Sequence, residues 1–256
     1  MSTSPRDIDE RLATVCDTDP RVSETYLRHV TTTNTPIVLV GVVHDHPASI
    51  QRVETIIDAL DPGVVAVELP NLLIPSVTAA IETGDRVGGE MSAAIRAAGG
   101  TPVVGIDVPS WGLGSAVLAA ISTHDPDLST VARTLRSVGR MVAHTALGRL
   151  ASRGIPGLPT IRDLEHSQEY DLPADAPPRA QAAHEAAHLG RSTTLLRAFE
   201  PPPATRLMDA IREAHMADRL RSVSDENPVV AVVGYSHLDG IATALQNQTG
   251  EGPVSP

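Results

Sequence analysis

Four residues that can bind metals or move protons follow apolar runs typical of buried strands. Two of these runs lead into the sequence Gly-x-x-His, which ends at His44 near the start of the chain and at His237 near its end. Glu68 closes a third run and Asp107 a fourth. Two imidazoles and one or two carboxylates can ligate a divalent transition metal such as Mn, Co or Zn. Three protein ligands would leave one position open for a water nucleophile.

The spacing predicts a role for each group. We expect His44 and His237 to ligate the metal, and Glu68 either to ligate it or to act as general base. Asp107 would support them from nearby. A single polar residue at a strand end is commonly no more than a turn or hydrogen-bonding residue, so the prediction rests on the four together. His46 is interpreted as the N-terminal residue of a helix, with a possible supporting role.

The apolar runs alternate with segments of helical spacing, which predicts the elements that position these residues. Because the links are short, the pattern favours an α/β fold with a mostly parallel central sheet flanked by helices. In such a sheet functional groups gather beyond the carboxyl ends of the strands. Gly41 and Gly234 would allow tight turns there. Strands are predicted at 36–43, 64–69, 102–107 and 229–234, and helices at 49–60, 71–83, 88–98, 113–123 and 238–247.

Composition shifts divide the chain into three parts. Residues 1–35 are predicted to form short helices split near Asp19, and 36–248 a single α/β domain. Within that domain, 124–222 is expected to be a mostly helical insertion before the last strand. The tail 249–256 is expected to be disordered. Helices are predicted in the insertion at 131–150, 179–199 and 204–223, and the first two could form a homodimer face or pack on the sheet.

The overall charge excludes one class of function. The net charge is -11, with 31 acidic residues and no lysine among the 20 basic ones, so nucleic-acid binding is not expected. An acidic surface without lysine is typical of adaptation to a very salty cytoplasm. Cys16 is the single cysteine, so no disulfide framework is expected. With no apolar run of about 20 residues and no signal-peptide core, a cytoplasmic location without a membrane span is predicted.

Six short motifs occur in an order that resembles a known family. They are Gly41–His44, Val67–Leu69, Gly89–Ile95, Gly105–Asp107, the helical 212–217 with Arg212 and Glu213, and Gly234–Ile241. Together they span about residues 36–246. The ordered set resembles the TraB/PrgY family, also described as the TraB/Tiki type.

The resemblance implies both a fold and an activity. The family has an α/β fold related to erythromycin-esterase-like and heme-uptake-associated domains. Its animal members are described as metal-dependent proteases acting on a secreted signalling protein, and others are linked to shutdown of peptide-pheromone signalling. This implies a metal-dependent hydrolase, with a peptide as the expected substrate class. Metal binding and catalysis would fall to His44, Glu68 and His237, with Glu90, Arg212 and Glu213 in support.

Two alternatives stay open. Arginines that family members carry after Leu69 and after Asp107 are absent here, which favours a pocket that binds a peptide or small ligand without turnover. The second is a zinc peptidase, because His184-Glu185-Ala-Ala-His188 is a literal H-E-x-x-H on a predicted helix. That spacing puts both imidazoles on one face, with the glutamate as base.

Overall fold

The predicted fold class is confirmed by a computed structural model, which describes residues 5–32, 35–83, 89–108, 113–151, 168–198, 201–223 and 228–247. A five-stranded sheet has the order β1-β2-β5-β3-β4. Neighbouring strands from β2 to β4 run parallel, and β1 pairs antiparallel with β2. The strands are β1 (Leu27–Thr32), β2 (Thr35–Val42), β3 (Val64–Pro70), β4 (Val103–Asp107) and β5 (Val229–Gly234).

Helices cover both faces of this sheet. Short 3₁₀ turns at Glu24–Tyr26, Asn71–Leu73 and Tyr235–His237 connect some of the elements. The helices in the described ranges are α1 (Pro5–Thr18), α2 (Pro47–Leu60), α3 (Ile74–Glu82), α4 (Gly89–Ala97), α5 (Leu113–His124), α6 (Leu128–Ala151), α7 (Pro178–Ala198), α8 (Pro203–Val223) and α9 (Leu238–Asn247).

The N-terminal segment differs from the prediction of short helices over 1–35. Residues 5–18 are helical, but Leu27–Thr32 is a strand that pairs with β2 from Leu27 opposite Val40 to Thr32 opposite Thr35. Its six residues, Leu-Arg-His-Val-Thr-Thr, contain three β-branched side chains, which favour strands. The run is too short to reveal its period, so its partner strand decided its structure.

The β-strands alternate side chains between two apolar layers. On one face Val38, Val40 and Val42 of β2 pack with α1, α2 and α4. On the other face Ile37 and Leu39 of the same strand pack with α8 and α9. Both faces of the parallel strands are therefore buried, which explains their unbroken apolar sequences.

In the parts of the insertion that the structure describes, every regular element is a helix. Within 124–151, 168–198 and 201–223 the regular elements are α-helices, as the sequence predicted. Helix α7 contacts α2, and α6 contacts α8. Helix α8 is more than an appendage, because Met216, Ala217 and Leu220 are fully buried against the sheet.

Two further expectations concern the chain ends and the membrane. The tail predicted at 249–256 lies outside the described residues. In the described part of the chain, no helix is both long enough and apolar enough to cross a membrane.

Candidate functional site

The four predicted strand-end residues lie at one edge of the sheet. Strands β2, β3, β4 and β5 are parallel, so their carboxyl ends share this edge. His44 follows the end of β2 by two residues, and His237 is the last residue of the 3₁₀ turn after β5. Glu68 is the third residue from the end of β3, and Asp107 is the last residue of β4. Their hydrogen bonds divide them into two groups, one around His44 and one around His237.

The first group, which we call the His44 cluster, consists of His44, Asp45 and Glu90. Each residue offers one ligand atom, and these atoms lie within 4.8 Å of one another. His44 Nδ1 is 2.8 Å from Glu90 Oε1, and the Asp45 amide donates to Glu90 Oε2 at 2.9 Å. The His44 side chain is 64% exposed whereas that of Glu90 is 3% exposed. The cluster is therefore buried on the Glu90 side and open to solvent on the His44 side.

Backbone geometry shows how tightly the His44 cluster is built. Asp45 has a φ of 55°, a left-handed conformation that non-glycine residues rarely adopt. Gly89, immediately before Glu90, has a φ of 82°, and a Cβ there would lie 2.7 Å from Asp45 Oδ1. Glycine at position 89 therefore leaves the space in which the Asp45 carboxylate sits.

The same contacts shift the pKa values of this cluster. The hydrogen bond that the Glu90 carboxylate accepts from the ring raises the pKa of His44 to about 9 against the opposing effect of burial, and the charges of Asp45 and Glu68 add to the rise. Burial favours the neutral form of Glu90, but its bonds to His44 and to the Asp45 amide lower its pKa overall. Without a metal, His44 and Glu90 thus form an ion pair near neutral pH.

The second group is centred on Arg212 of α8. Its guanidinium donates to both carboxylate oxygens of Asp107, at 3.1 and 2.8 Å, and to Glu68 Oε1 at 2.5 Å. Its Nη1 lies 2.9 Å from His237 Nε2. Helix α8 thereby supplies a guanidinium to Glu68 and Asp107, although no arginine stands directly after Leu69 or Asp107 in the sequence.

His237 is held on its other side by Glu213. Nδ1 of His237 is 3.0 Å from Glu213 Oε1. Burial opposes charging of the ring, but the bond to Glu213 and the charge of Glu68 outweigh it, so the pKa of His237 is raised. A Cβ at Gly240 would overlap the Glu213 carboxylate, which explains the glycine in the motif Gly234–Ile241. Glu68 also accepts from the Gly234 amide at 2.5 Å.

The predicted ligand set is thus distributed differently from the sequence expectation. His237 Nε2 lies 3.8 Å from Glu68 Oε1, but Arg212 donates to both groups. Among the described residues, the potential metal ligands that come together around His44 are Asp45 and Glu90. Gly41 supports this edge through a close approach, since a Cβ there would lie 3.0 Å from the Leu238 side chain.

The H-E-x-x-H stretch contributes its glutamate to the protein interior. Glu185 and Arg52 are fully buried and form a close ion pair, and Glu185 Oε1 accepts from Ser49 Oγ at 2.5 Å. His184 Nδ1 lies 3.0 Å from His46 Nε2, and the His188 ring contacts Tyr170. In this arrangement Glu185 is not free to act as a base on a metal-bound water. His46 is the N-cap of α2, as predicted, and accepts from the Ala48 amide.

Sequence reasoning missed two contributors to the site. The sequence pattern does not single out Asp45, because its carboxylate reaches the cluster through the left-handed backbone at that residue. Tyr170 lies in the insertion, and its hydroxyl donates to the His44 carbonyl at 2.6 Å. Asp45 lies between two histidines directly after a buried strand, which was the one available signal. Nothing near Tyr170 in the sequence indicated its contact.

Fold and site together define an α/β protein with a polar site at the carboxyl edge of a parallel sheet. In comparisons with known proteins, no family model, no curated protein and no solved structure matched the chain.

Proposed function

We propose that this chain is a metal-dependent hydrolase of the TraB/PrgY type, with a peptide as substrate. The observation that carries the proposal is the His44 cluster, in which an imidazole and two carboxylates converge beside solvent at the carboxyl edge of the sheet. Two features favour a built site over a chance cluster of charges. The left-handed backbone of Asp45 and the glycine at 89 both serve to place one carboxylate.

The donor set fits a divalent cation. One imidazole nitrogen and two carboxylate oxygens suit Mn, Co or Zn, and three protein ligands leave room for water. His44, Asp45 and Glu90 would hold the ion, which would polarise a substrate carbonyl and make bound water more acidic. Because the Glu90 carboxylate is held by the Asp45 amide, its orientation is set before any ion arrives.

The Arg212 group, at the same edge of the sheet, would transfer protons and stabilise negative charge during the reaction. Glu213 accepts from Nδ1 of His237, which leaves Nε2 as the nitrogen that can take up a proton. Arg212 now donates to that nitrogen. We propose that a substrate group displaces this contact, so that Nε2 of His237 accepts a proton from the attacking water, while Arg212, still held by Asp107, faces the developing negative charge.

A second candidate is binding without turnover. It is favoured by the saturation of the Arg212 group, in which Glu68, Asp107 and His237 all contact one guanidinium. If a ligand leaves these contacts intact, Glu68, Asp107 and His237 are not free to move a proton. The pocket would then hold a peptide or small molecule for a regulatory purpose.

Metal content tests the proposal first. We would measure metals by plasma mass spectrometry in purified wild type, Glu90→Gln, His237→Ala and His184→Ala, after loading with Mn²⁺, Co²⁺ or Zn²⁺ and desalting. We expect about one metal per chain in wild type, loss in Glu90→Gln, and retention in the other two. Circular dichroism would verify that each variant is folded.

The remaining outcomes distinguish the alternatives. Loss of metal in His237→Ala would restore the ligand set expected from sequence, and loss confined to His184→Ala would support the helical zinc motif. Wild type that binds metal should cleave an internally quenched peptide pool, and His237→Ala should be at least tenfold slower. Metal binding with no cleavage of any peptide would favour the binding role, and wild type without metal would overturn the proposed hydrolase.

A further inference from the structure

Residues of the insertion form hydrogen bonds to the turn that carries the His44 cluster. The segment 168–198, which includes α7, contacts 43–49 at several points, although the contacting residues are more than 120 positions apart in sequence. The residues that the insertion contributes to these contacts belong neither to the Arg212 group nor to the proposed metal ligands. They also include the H-E-x-x-H stretch, whose position in the structure is otherwise unexplained.

Two of the contacts reach the ligand residues directly. Tyr170 Oη donates to the His44 carbonyl at 2.6 Å, and the Gln168 amide donates to Asp45 Oδ2 at 2.9 Å. Asp45 needs such restraint because its left-handed backbone is intrinsically unfavourable. The insertion therefore holds the backbone of this turn at His44 and the side-chain carboxylate of Asp45.

A third contact runs through the buried ion pair. Ser49 Oγ accepts from the Val43 amide at 2.7 Å and donates to Glu185 Oε1 at 2.5 Å. Arg52, which pairs with Glu185, also donates to the Gly41 carbonyl at 3.0 Å. Glu185 is thereby linked to backbone groups on both sides of the last residue of β2, immediately before His44.

A fourth contact fixes a tautomer. The Ala48 amide donates to His46 Nδ1 at 3.1 Å, so the proton of the neutral ring is on Nε2. That nitrogen is 3.0 Å from His184 Nδ1, which must then accept. His184 and Glu185 thus both bind the segment that begins at the turn, one residue apart on α7.

We propose that Tyr170 and Glu185 are positioning residues of the metal site, and that docking of 168–198 and binding of a divalent metal at the His44 cluster strengthen one another. The inference rests on the metal site of the proposed function. Its physical basis is reciprocity: if the docked segment holds Asp45 in the ligating conformation, a metal held by Asp45 must stabilise the docked segment equally. Partners that orient ligands typically change metal affinity by 10–100-fold when removed.

Metal titration of the full chain tests the first half of this coupling. Isothermal titration calorimetry with Mn²⁺, Co²⁺ and Zn²⁺ would compare wild type with Tyr170→Phe, which removes one hydroxyl at a partly exposed position. Ser49→Ala is the second variant, because it cuts the link from Glu185 to the Val43 amide without unpairing Arg52. We expect the dissociation constant for the metal to rise by at least about threefold in each variant.

Two control variants change exposed polar groups that make no contact with the turn. Glu169→Gln changes the exposed neighbour of Tyr170, and Ser222→Ala deletes an exposed hydroxyl on α8. Both should leave metal affinity within twofold of wild type. Unchanged affinity in Tyr170→Phe and Ser49→Ala would overturn the positioning role while leaving the metal site intact.

Hydrogen exchange tests the reciprocal half of the coupling, the effect of the metal on α7. A purely structural role of Tyr170 predicts no change in the exchange of α7 when metal binds. Saturating metal should slow exchange of the α7 amides in wild type, and slow it less in Tyr170→Phe. Equal exchange of α7 with and without bound metal would overturn the coupling. Failure of wild type to bind any of the three metals would instead overturn the proposed metal site itself, and this inference with it.

Discussion

Arg52 and Glu185 form a buried ion pair that connects α7 to the elements carrying the site. Both side chains are fully buried, and the Tyr26 ring stacks on the Arg52 guanidinium with 3.6 Å from Cζ to the ring centroid. Breaking such a pair by removing one partner typically costs about 3–5 kcal/mol, because a charge is left uncompensated. Displacement of α7 would therefore leave the buried Arg52 charge without its partner.

Asp19 allows a residue-scale prediction about pH. Arg21 binds its carboxylate through the backbone amide and the guanidinium, at 2.7–2.9 Å, and Thr55 adds a weaker contact at 3.4 Å. Burial alone would raise the pKa of Asp19, but these bonds lower it below its ordinary value. The pKa of Asp19 is lower in the folded than in the unfolded chain, so the ionised carboxylate stabilises the fold at neutral pH. This stabilisation is lost as the pH falls through the folded pKa.

Asp19→Asn tests this linkage. We expect the variant to be about 1 kcal/mol less stable than wild type at pH 7, and the difference to shrink below about pH 4. Urea denaturation at several pH values would measure it. Asp17→Asn, the same change at an exposed position two residues away, should stay within about 0.5 kcal/mol throughout. A gap between Asp19→Asn and wild type that does not change with pH would contradict the assignment.

At the scale of elements, α8 connects the core to the site. Its apolar face covers the sheet, while Arg212 and Glu213 on the same helix hold the strand-end carboxylates and His237. A shift of α8 would therefore move the whole Arg212 group together. The insertion has two functions by this account: α8 supports the groups around His237, and 168–198 supports the turn around His44.

Met216→Ala is expected to destabilise the fold by about 2–4 kcal/mol, because it opens a cavity between α8 and the sheet. Met216 is fully buried, whereas Leu118, also an apolar residue in a helix, is 71% exposed. Leu118→Ala should therefore change stability by less than about 0.5 kcal/mol. The free energies of unfolding come from urea titration. Similar losses in the two variants would show that α8 does not depend on this contact.

At the scale of the whole molecule, charge is the dominant feature. The net charge of -11 is carried by a chain with 31 acidic residues, so self-repulsion opposes the compact state at low salt. The Debye length falls from about 10 Å at 0.1 M salt to about 3 Å at 1 M. We expect the melting temperature to rise by several degrees as KCl increases over this range, as measured by scanning calorimetry.

A charge-reduced variant provides the control for the salt effect. Glu169→Gln, Asp171→Asn and Asp175→Asn together remove three negative charges from exposed positions. The variant should be more stable than wild type at 0.1 M KCl and should gain less from added salt, because it has less repulsion to screen. A melting temperature that stays flat or falls with KCl in wild type would contradict the role of repulsion.

The amino-acid sequence by itself determined the four parallel strands and most helices, because buried strands and amphipathic helices follow local hydrophobic periodicity. It also placed His44, Glu68, Asp107 and His237 at one edge, since parallel strands end together. Strand β1 was missed because six residues acquire their conformation from a partner strand.

Only the tertiary structure decided how the edge residues are grouped. Arg212 contacts Glu68 and Asp107 although each lies more than 100 residues away from it in sequence. Asp45 meets Glu90 through a left-handed turn that no periodicity encodes. Glu185 looked like a catalytic base in sequence and lies in a buried ion pair in space. Hydrogen bonds and ion pairs depend on distances set by packing, and local sequence does not contain those distances.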